Sequence, residues 1–311
     1  MVSILLFPGQ GSQKVGMTKD LADAFPAARA LLHRIDDELS TPLSTLMWEG
    51  PEADLTLTHN AQPAILAHSA AILEVLGDRL GPVAAAAGHS LGEYSAWVAA
   101  GALEATDAAA LVRRRGALMY EAGKARPGAM AAVLGLETAL VERCCAEASA
   151  AGEGVVVAAN QNAPDQTVIS GDPAAVERGG EACKAAGAKR VLPLKVSGAF
   201  HSPLMEGAVR GLRDALDVAP FRAPRFPVCA NATAELVDDR DDAIRLLGDQ
   251  LTAPVRWVAS MQQLARTYPE ARWLEIGPGS VLTGLLKRIV PEAVCTPLGT
   301  AADLDTFLST S

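Results

Sequence analysis

The chain has 311 residues, 50% of them apolar and 20% charged, with a formal net charge of −9. That is an ordinary globular composition with ample material for a core, and its acidic balance argues against broad nucleic-acid binding. Five cysteines (Cys144, Cys145, Cys183, Cys229 and Cys295) are too scattered for a disulfide framework and form no C-x-x-C pair, so a reduced, cytoplasmic setting is expected.

Residues 1–7 are apolar but lack a basic leader and meet Pro8-Gly9 at once. They read as a buried first strand over 3–7, not as a signal peptide. The loop Phe7-Pro8-Gly9-Gln10-Gly11-Ser12-Gln13 then closes the strand's C-terminal end. In open α/β sheets ligands sit at such ends, although a plain turn has the same composition. Leu21, Phe25, Ala28, Leu31, Leu32 and Ile35 predict a helix over 18–39. Gly50-Pro51 breaks the chain, and 62–76 is a second apolar helix. His33, His59 and His68 read as structural residues on or near these helices.

The run Val83 to Ala87 is a strand, far too short to span a membrane. It leads into Gly88-His89-Ser90-Leu91-Gly92-Glu93 and a helix-like stretch over 94–100. Strand, sharp turn, helix, with a serine at the turn, is the G-x-S-x-G nucleophile-elbow pattern. A glycine-rich strand–helix turn is the bland alternative. The elbow would put a hydroxyl at a helix N-terminus, where backbone N–H groups can stabilise an oxyanion.

Thr106 is the expected N-cap of a helix over 107–122. At about 100° per residue, Arg115 falls inside its apolar stripe, and Arg113 and Arg114 fall off it. A buried arginine needs an anionic partner. Either an internal salt bridge or a substrate carboxylate meets that need, and the planar guanidinium suits the second by bidentate pairing.

Residues 123–128 read as a hinge. Beyond it come a strand (129–134), a helix (137–149), strands at 154–160 and 166–170 around a turn at 162–165, a helix (173–186) and a strand (190–196). The order βαββαβ is that of a ferredoxin-like unit, here inserted in a larger α/β one. The expected division is 1–125 with 197–311 for the larger part and 126–196 for the smaller, which would wall a cleft.

Next come Gly198-Ala199-Phe200-His201-Ser202-Pro203, with Ser202 as N-cap and Pro203 in the first turn of a helix to about 216. His201 sits just outside that helix. The positive helix end should disfavour imidazolium and keep the ring available as a base. Capping without chemistry is the alternative. A strand over 226–230, a charged turn at 238–242, a helix over 243–251 and a strand over 273–276 follow. Gly277-Pro278-Gly279-Ser280 then precedes a helix over 281–289, and could hold a phosphate or be a tight turn.

Ser90, His201 and Arg115 form a coherent set, because a serine needs a base to become a nucleophile. A hydrolase triad would add an acid between serine and histidine. Asp165 and Asp172 lie there in turn-like contexts and do not fit, so a carbonyl or amide could orient His201 instead.

With these motifs in order, the chain resembles the malonyl-CoA:acyl carrier protein transacylase family. The likeness rests on the elbow through Ala96, on the 7–13 loop, and on Arg115-Gly116, Asn160-x-Asn162 and Gly198–Ser202. It extends to Gln250-Leu251 ahead of Pro254-Val255 and to Glu275-x-Gly277-Pro278-Gly279, so it spans essentially the whole chain. The resemblance implies an α/β-hydrolase-like body with a ferredoxin-like insertion. It implies Ser90 as the acylated nucleophile, His201 as its base, and Arg115 as partner of the malonyl carboxylate. Gln10 and Leu91 would supply the oxyanion N–H groups, and Gln250 would orient His201 through its main-chain carbonyl. His89 and Asn162 would line the site, and Phe200 would leave little room for an α-methyl branch.

The implied reaction is ping-pong transfer from malonyl-CoA to the phosphopantetheine thiol of acyl carrier protein in fatty-acid synthesis, with no metal or redox cofactor. A stand-alone malonyl acyltransferase of a polyketide synthase and a serine thioesterase are the alternatives. The carrier is acidic in this family's context, so docking is expected on Lys184, Lys189, Arg190, Lys195, Lys287 and Arg288. No nucleic acid or membrane partner is expected.

Overall fold

The computed structural model describes residues 2–310; Met1 and Ser311, the extreme ends of the expected larger unit, lie outside the described residues. The first strand, β1 (Ser3–Phe7), is buried along its whole length, as a parallel strand covered on both faces must be. Helices α1 (Lys19–Ala24), α2 (Pro26–Leu39), α3 (Leu43–Glu49), α4 (Glu52–Thr56) and α5 (Thr58–Leu76) follow. The single helix expected over 18–39 is two. Pro26 excludes the helical conformation from the residue before it, and Phe25 is extended at φ −124°, ψ 109°. The helices α3 and α4 are too short to leave a periodic signature.

Strand β2 (Val83–Gly88) leads to α6 (Gly92–Ala99) and α7 (Ala105–Ala125). Thr106 is not the cap of α7. Glu104 takes that position in extended conformation without a side-chain cap, which leaves Thr106 inside the first turn. The helix also runs through Gly123, assigned to the hinge from sequence. The break comes at Arg126. Gly123 is needed for a close crossing: a Cβ there would lie 2.1 Å from the Ser197 carbonyl oxygen, where the chain returns.

A second sheet follows: β3 (Ala129–Leu134), α8 (Thr138–Ala150), β4 (Val156–Ala163), β5 (Gln166–Gly171), α9 (Pro173–Ala185) and β6 (Arg190–Pro193). Its order is β4-β5-β3-β6 with every neighbour antiparallel. The expected turn shrinks to Pro164-Asp165, so Asn162 stands on β4. Alternation along the strands sends Ala131, Val133 and Ile169 into a core under α8 and α9. Met130, Val168, Asn160 and Asn162 face a cleft on the other side.

After a 3-10 turn (Pro203–Met205), the chain forms α10 (Glu206–Val218), β7 (Val228–Cys229), β8 (Leu236–Val237) and α11 (Arg240–Asp249). It ends with α12 (Trp257–Thr267), β9 (Arg272–Ile276), α13 (Val281–Ile289), β10 (Cys295–Leu298) and α14 (Ala301–Thr310). The charged stretch at 238–242 is not a turn. Asp239 Oδ1 accepts from the Asp241 and Asp242 N–H groups at 2.8 and 3.0 Å and starts α11 early. The first sheet has the order β10-β9-β1-β2-β7-β8, parallel except for β8. Leu5 and Phe7 of β1 enter one core, and Ile4 and Leu6 enter the other. Succession runs from β1 to β2 and β7 on one side, and β9 and β10 are added on the other, so the strand order reverses at β1, whose C-terminal end is a switch point. The Gly277–Ser280 loop is a tight turn. The Glu275 carboxylate already accepts the Leu282 and Thr283 N–H groups at the start of α13, leaving no place for a phosphate.

His68 ties this frame together. Its Nε2 donates to the Gly299 carbonyl at 2.9 Å, so its Nδ1 accepts from Thr18 Oγ1 at 2.9 Å. Burial pushes its pKa down to about 4. The unfolded ring protonates near 6.5, so the native state loses stability as pH falls from 6.5 towards 4. At about 1.4 kcal/mol per unit, this one group removes about 3 kcal/mol. His68→Gln should therefore be less stable than wild type at pH 7.5, and the gap between them should narrow towards pH 4. Parallel denaturation midpoints across that range would refute the linkage.

Candidate active site

Three strand ends meet at the site: the loop after β1, the elbow after β2 and the segment after β7. Ser90 occupies the left-handed region at φ 52°, a strained position for a non-glycine residue. The elbow glycines make it possible. A Cβ on Gly92 would lie 2.1 Å from the Phe7 carbonyl oxygen, and one on Gly88 would lie 1.8 Å from the Gly92 backbone.

Ser90 Oγ lies 2.8 Å from His201 Nε2, and His201 Nδ1 lies 2.9 Å from the Gln250 main-chain carbonyl. A carbonyl can only accept, so Nδ1 carries the proton. Nε2 is then the acceptor, and Ser90 donates to it. His201 is buried, and its pKa is pushed down to about 3, first by burial and then by the Arg115 charge. The direction expected from sequence holds, but a helix end is not the cause: the element after His201 is only the short 3-10 turn. Asp165 and Asp172 stand elsewhere, paired with Arg288 and Arg126.

Arg115 is 1% exposed. Its Nη1 donates to Gln62 Oε1 at 2.8 Å, and its Nη2 donates to Gln250 Oε1 at 2.8 Å and Ser90 Oγ at 3.2 Å. Its guanidinium carbon lies 5.5 Å from the Tyr94 ring centroid. Among the described residues no carboxylate lies within ion-pair distance, so the internal salt bridge left open above is absent. Burial lowers its pKa, yet a guanidinium keeps its proton. The site thus holds a buried cation resting on neutral oxygens.

The other expected residues gather here. Gln10, His89, Asn162 and Phe200 line a cleft of about 350 Å³ together with Ser90 and His201. His89 Nε2 lies 2.8 Å from Asn162 Oδ1, and burial lowers its pKa. Among the described residues, the backbone N–H groups of Gln10 and Leu91 have no hydrogen-bond partner. That of Ser90 is taken by Asn231 Oδ1 at 2.7 Å.

Of the basic candidates, Lys184 pairs with Glu181 at 2.8 Å and Arg288 is engaged by Asp165 and Gln166. Lys189, Arg190, Lys195 and Lys287 carry no ion pair among the described residues, and Lys195 lines the cleft. No group of three or more His, Cys, Asp and Glu residues among those described could hold a metal ion. No helix there is long and apolar enough to cross a membrane.

Residues 4–309 match the family described as acyl transferase domain. The chain is 45% identical over 284 residues to malonyl CoA-acyl carrier protein transacylase of Bacillus subtilis, covering 91% of this chain and 89% of that one. The chain belongs to the malonyl CoA-acyl carrier protein transacylase family. Its Escherichia coli K12 member is 44% identical over 296 residues, 94% of each chain. An acyl carrier protein S-malonyltransferase from Vibrio cholerae has a similar structure, with a TM-score of 0.93 and 42% identity over 98% of this chain and 99% of that one. So does a malonyl-transacylase solved in complex with its type II PKS acyl-carrier protein, with a TM-score of 0.94 and 41% identity over 100% of both chains.

Beside the residues expected for this transacylase fold, the site uses three that sequence reasoning missed. Gln62 holds Arg115. Asn231 clamps the elbow, also donating from Nδ2 to the Gly88 carbonyl at 2.7 Å. Glu93, 1% exposed, accepts from the Asn231 N–H and from Gln250 Nε2. Each had a signal. Gln62 and Glu93 are polar residues in apolar helical runs, and Asn231 directly follows an apolar strand.

Proposed function

We propose that this acyltransferase moves a malonyl group from malonyl-CoA to the phosphopantetheine thiol of an acyl carrier protein, supplying fatty-acid synthesis, through an ester on Ser90. One observation carries the mechanism: a serine–histidine pair oriented by a carbonyl, with an unpaired buried guanidinium 3.2 Å from the serine hydroxyl. Ser90 Oγ gives its proton to His201 Nε2 and attacks the thioester carbonyl. The oxyanion falls to the N–H groups of Gln10 and Leu91. The C–S bond breaks, and His201 returns the proton to the departing CoA sulfur. The carrier thiol then gives its proton to His201 and attacks the ester. Its collapse releases malonyl-carrier, and the proton goes back to Ser90. Arg115 pairs with the free carboxylate in both half-reactions.

His89 and Asn162 line the acyl site, and Phe200 restricts branching beside the acyl carbon. A thioesterase is disfavoured because it has no use for a carboxylate-binding arginine. A polyketide carrier is the second reading, supported by the likeness to a transacylase that serves one. We read the fold as an α/β-hydrolase-like body, 1–125 and 197–311, with a ferredoxin-like insertion at 126–196. The all-antiparallel order β4-β5-β3-β6 supports that reading. Carrier docking falls to Lys189, Arg190, Lys195 and Lys287, with Lys184 and Arg288 as partly neutralised neighbours, and the setting is cytoplasmic.

Mass spectrometry after incubation with malonyl-CoA should find the Ser90 peptide malonylated, and holo-carrier should then remove the label. Rapid release of free malonate without transfer would sink the proposal in favour of a thioesterase.

A further inference from the structure

Glu93 is the only charged residue of α6, and it is buried. One of its oxygens, Oε2, accepts from Gln250 Nε2 at 2.7 Å and from the Asn231 N–H at 3.0 Å. Gln250 reaches the reacting groups in two ways: its carbonyl holds His201, and its Oε1 accepts from Arg115. A glutamine amide has two ends of nearly equal size. What decides which end meets Arg115 is the chemistry on the other side. There, Nε2 donates to Glu93 Oε2 and, at 3.1 Å, to the Ser90 carbonyl. Both are acceptors, whereas a flipped amide would set donor against donor at the guanidinium and acceptor against acceptor at Glu93.

We propose that Glu93 is a positioning residue: its carboxylate locks the Gln250 amide with the oxygen towards Arg115, and so aims the guanidinium at the carboxylate of the acyl group. This rests on the malonyl reading above. Glu93 acts on Arg115 through Gln250, and its other contact, the Asn231 N–H, supports the Ser90 elbow for every acyl donor alike. The charge matters as well as the shape, because a hydrogen bond to an ionised acceptor is roughly twice as strong as a neutral one.

The titratable groups around it are Arg115 from α7, Tyr94 beside it on α6, His201 and Cys229 of β7. Burial raises Tyr94, and it raises Cys229 to about 12, so both stay neutral. Arg115 stays charged and His201 neutral. Burial pushes Glu93 up to about 7, against the opposing hydrogen bonds and the Arg115 charge. Glu93 is therefore the member of this cluster that changes charge near neutrality. It is ionised above that value and neutral below it.

The test is acyl-enzyme formation with malonyl-CoA and acetyl-CoA, compared as a ratio of kcat/KM. The CoA phosphates are common to both donors and cancel. In Glu93→Ala the malonyl-to-acetyl ratio should fall about 10-fold or more, mostly through the malonyl KM, because any loss through Asn231 or His201 is common to both donors. Glu93→Gln can still accept both N–H groups but is neutral at every pH. It should lose about three-fold with malonyl only, and its ratio should not vary with pH. The wild-type ratio should drop by about three-fold between pH 8.5 and 6, towards the Glu93→Gln value.

Equal loss for both donors in Glu93→Ala, or a flat wild-type ratio, would overturn the proposal. The wild-type profile decides alone if the alanine variant does not fold. A wild-type enzyme that cannot be malonylated at all would instead refute the function on which this rests.

Discussion

Alanine at Ser90, at His201 or at both is expected to lower malonyl transfer by a similar factor, about 10³ or more, and not by the product of two separate losses. The two side chains share one proton across a 2.8 Å contact. Without His201 the hydroxyl keeps its proton and is a weak nucleophile. Without Ser90 the imidazole has nothing to activate. Rates of malonyl transfer to holo-carrier protein by the two single variants and the double variant measure this. A double variant slower than either single by another factor of about 10³ would mean that the groups act independently. The pair also has a pH signature. An ordinary histidine would switch off below about 6.5. His201 stays neutral until about pH 3, held there by burial and the Arg115 charge. Acylation by a donor whose acyl group is uncharged, such as acetyl-CoA, should accordingly show no histidine limb between pH 5 and 8. A limb centred near 6.5 would mean that the ring is hydrated and poised differently.

The reading from sequence agrees with the structure where a residue's place follows from local chain geometry. The elbow was legible because glycines on both sides of a serine mark close backbone contacts, which the structure supplies: β1 crowds Gly92, and the turn's own backbone crowds Gly88. Arg115 was legible because one position in a 3.6-residue stripe violated the apolar pattern. The order of the second sheet followed from period-2 and period-3.6 runs separated by turn residues. Roles set by contacts between remote segments stayed hidden. Asn231 is 141 residues from Ser90, and Gln250 is 157 from Glu93, so neither contact leaves a periodic trace. The cap reading at Thr106 and the turn reading at Asp238–Asp242 failed for another reason. Several nearby polar residues compete for one helix end, and backbone direction set by packing picks the winner. The docking candidates were legible only as charges, because sequence does not reveal that Asp165 and Gln166 already engage Arg288.

Arg115→Ala should lower kcat/KM for malonyl-CoA by about 10²–10⁴, the loss expected when one partner of a buried charge pair is removed, at about 3–5 kcal/mol. It should leave acetyl-CoA unchanged or improve it. The asymmetry follows from what Arg115 touches. Its hydrogen bonds go to two glutamine amides and a serine hydroxyl, so no protein carboxylate pairs with it directly, and Glu93 acts on it only across the Gln250 amide. A malonyl carboxylate meets an unneutralised cation in a buried site, while an acetyl group leaves that cation on neutral oxygens. Discrimination by an unpaired buried group is far stronger than discrimination by a methyl-sized gap.

The substitution has a structural cost as well. Gln62 Oε1 and Gln250 Oε1 lose their donors, and each buried acceptor left empty costs about 1–3 kcal/mol unless water replaces the guanidinium. Thermal midpoints must therefore accompany the kinetics, and Arg115→Lys separates the two effects. Lysine restores a charge but not the planar fork, so it should recover part of the malonyl activity without restoring both glutamine contacts. A loss of equal size for malonyl and acetyl donors in a folded Arg115→Ala enzyme would reduce Arg115 to a packing residue. The source of acyl selectivity would then have to be sought in the cleft wall around Phe200.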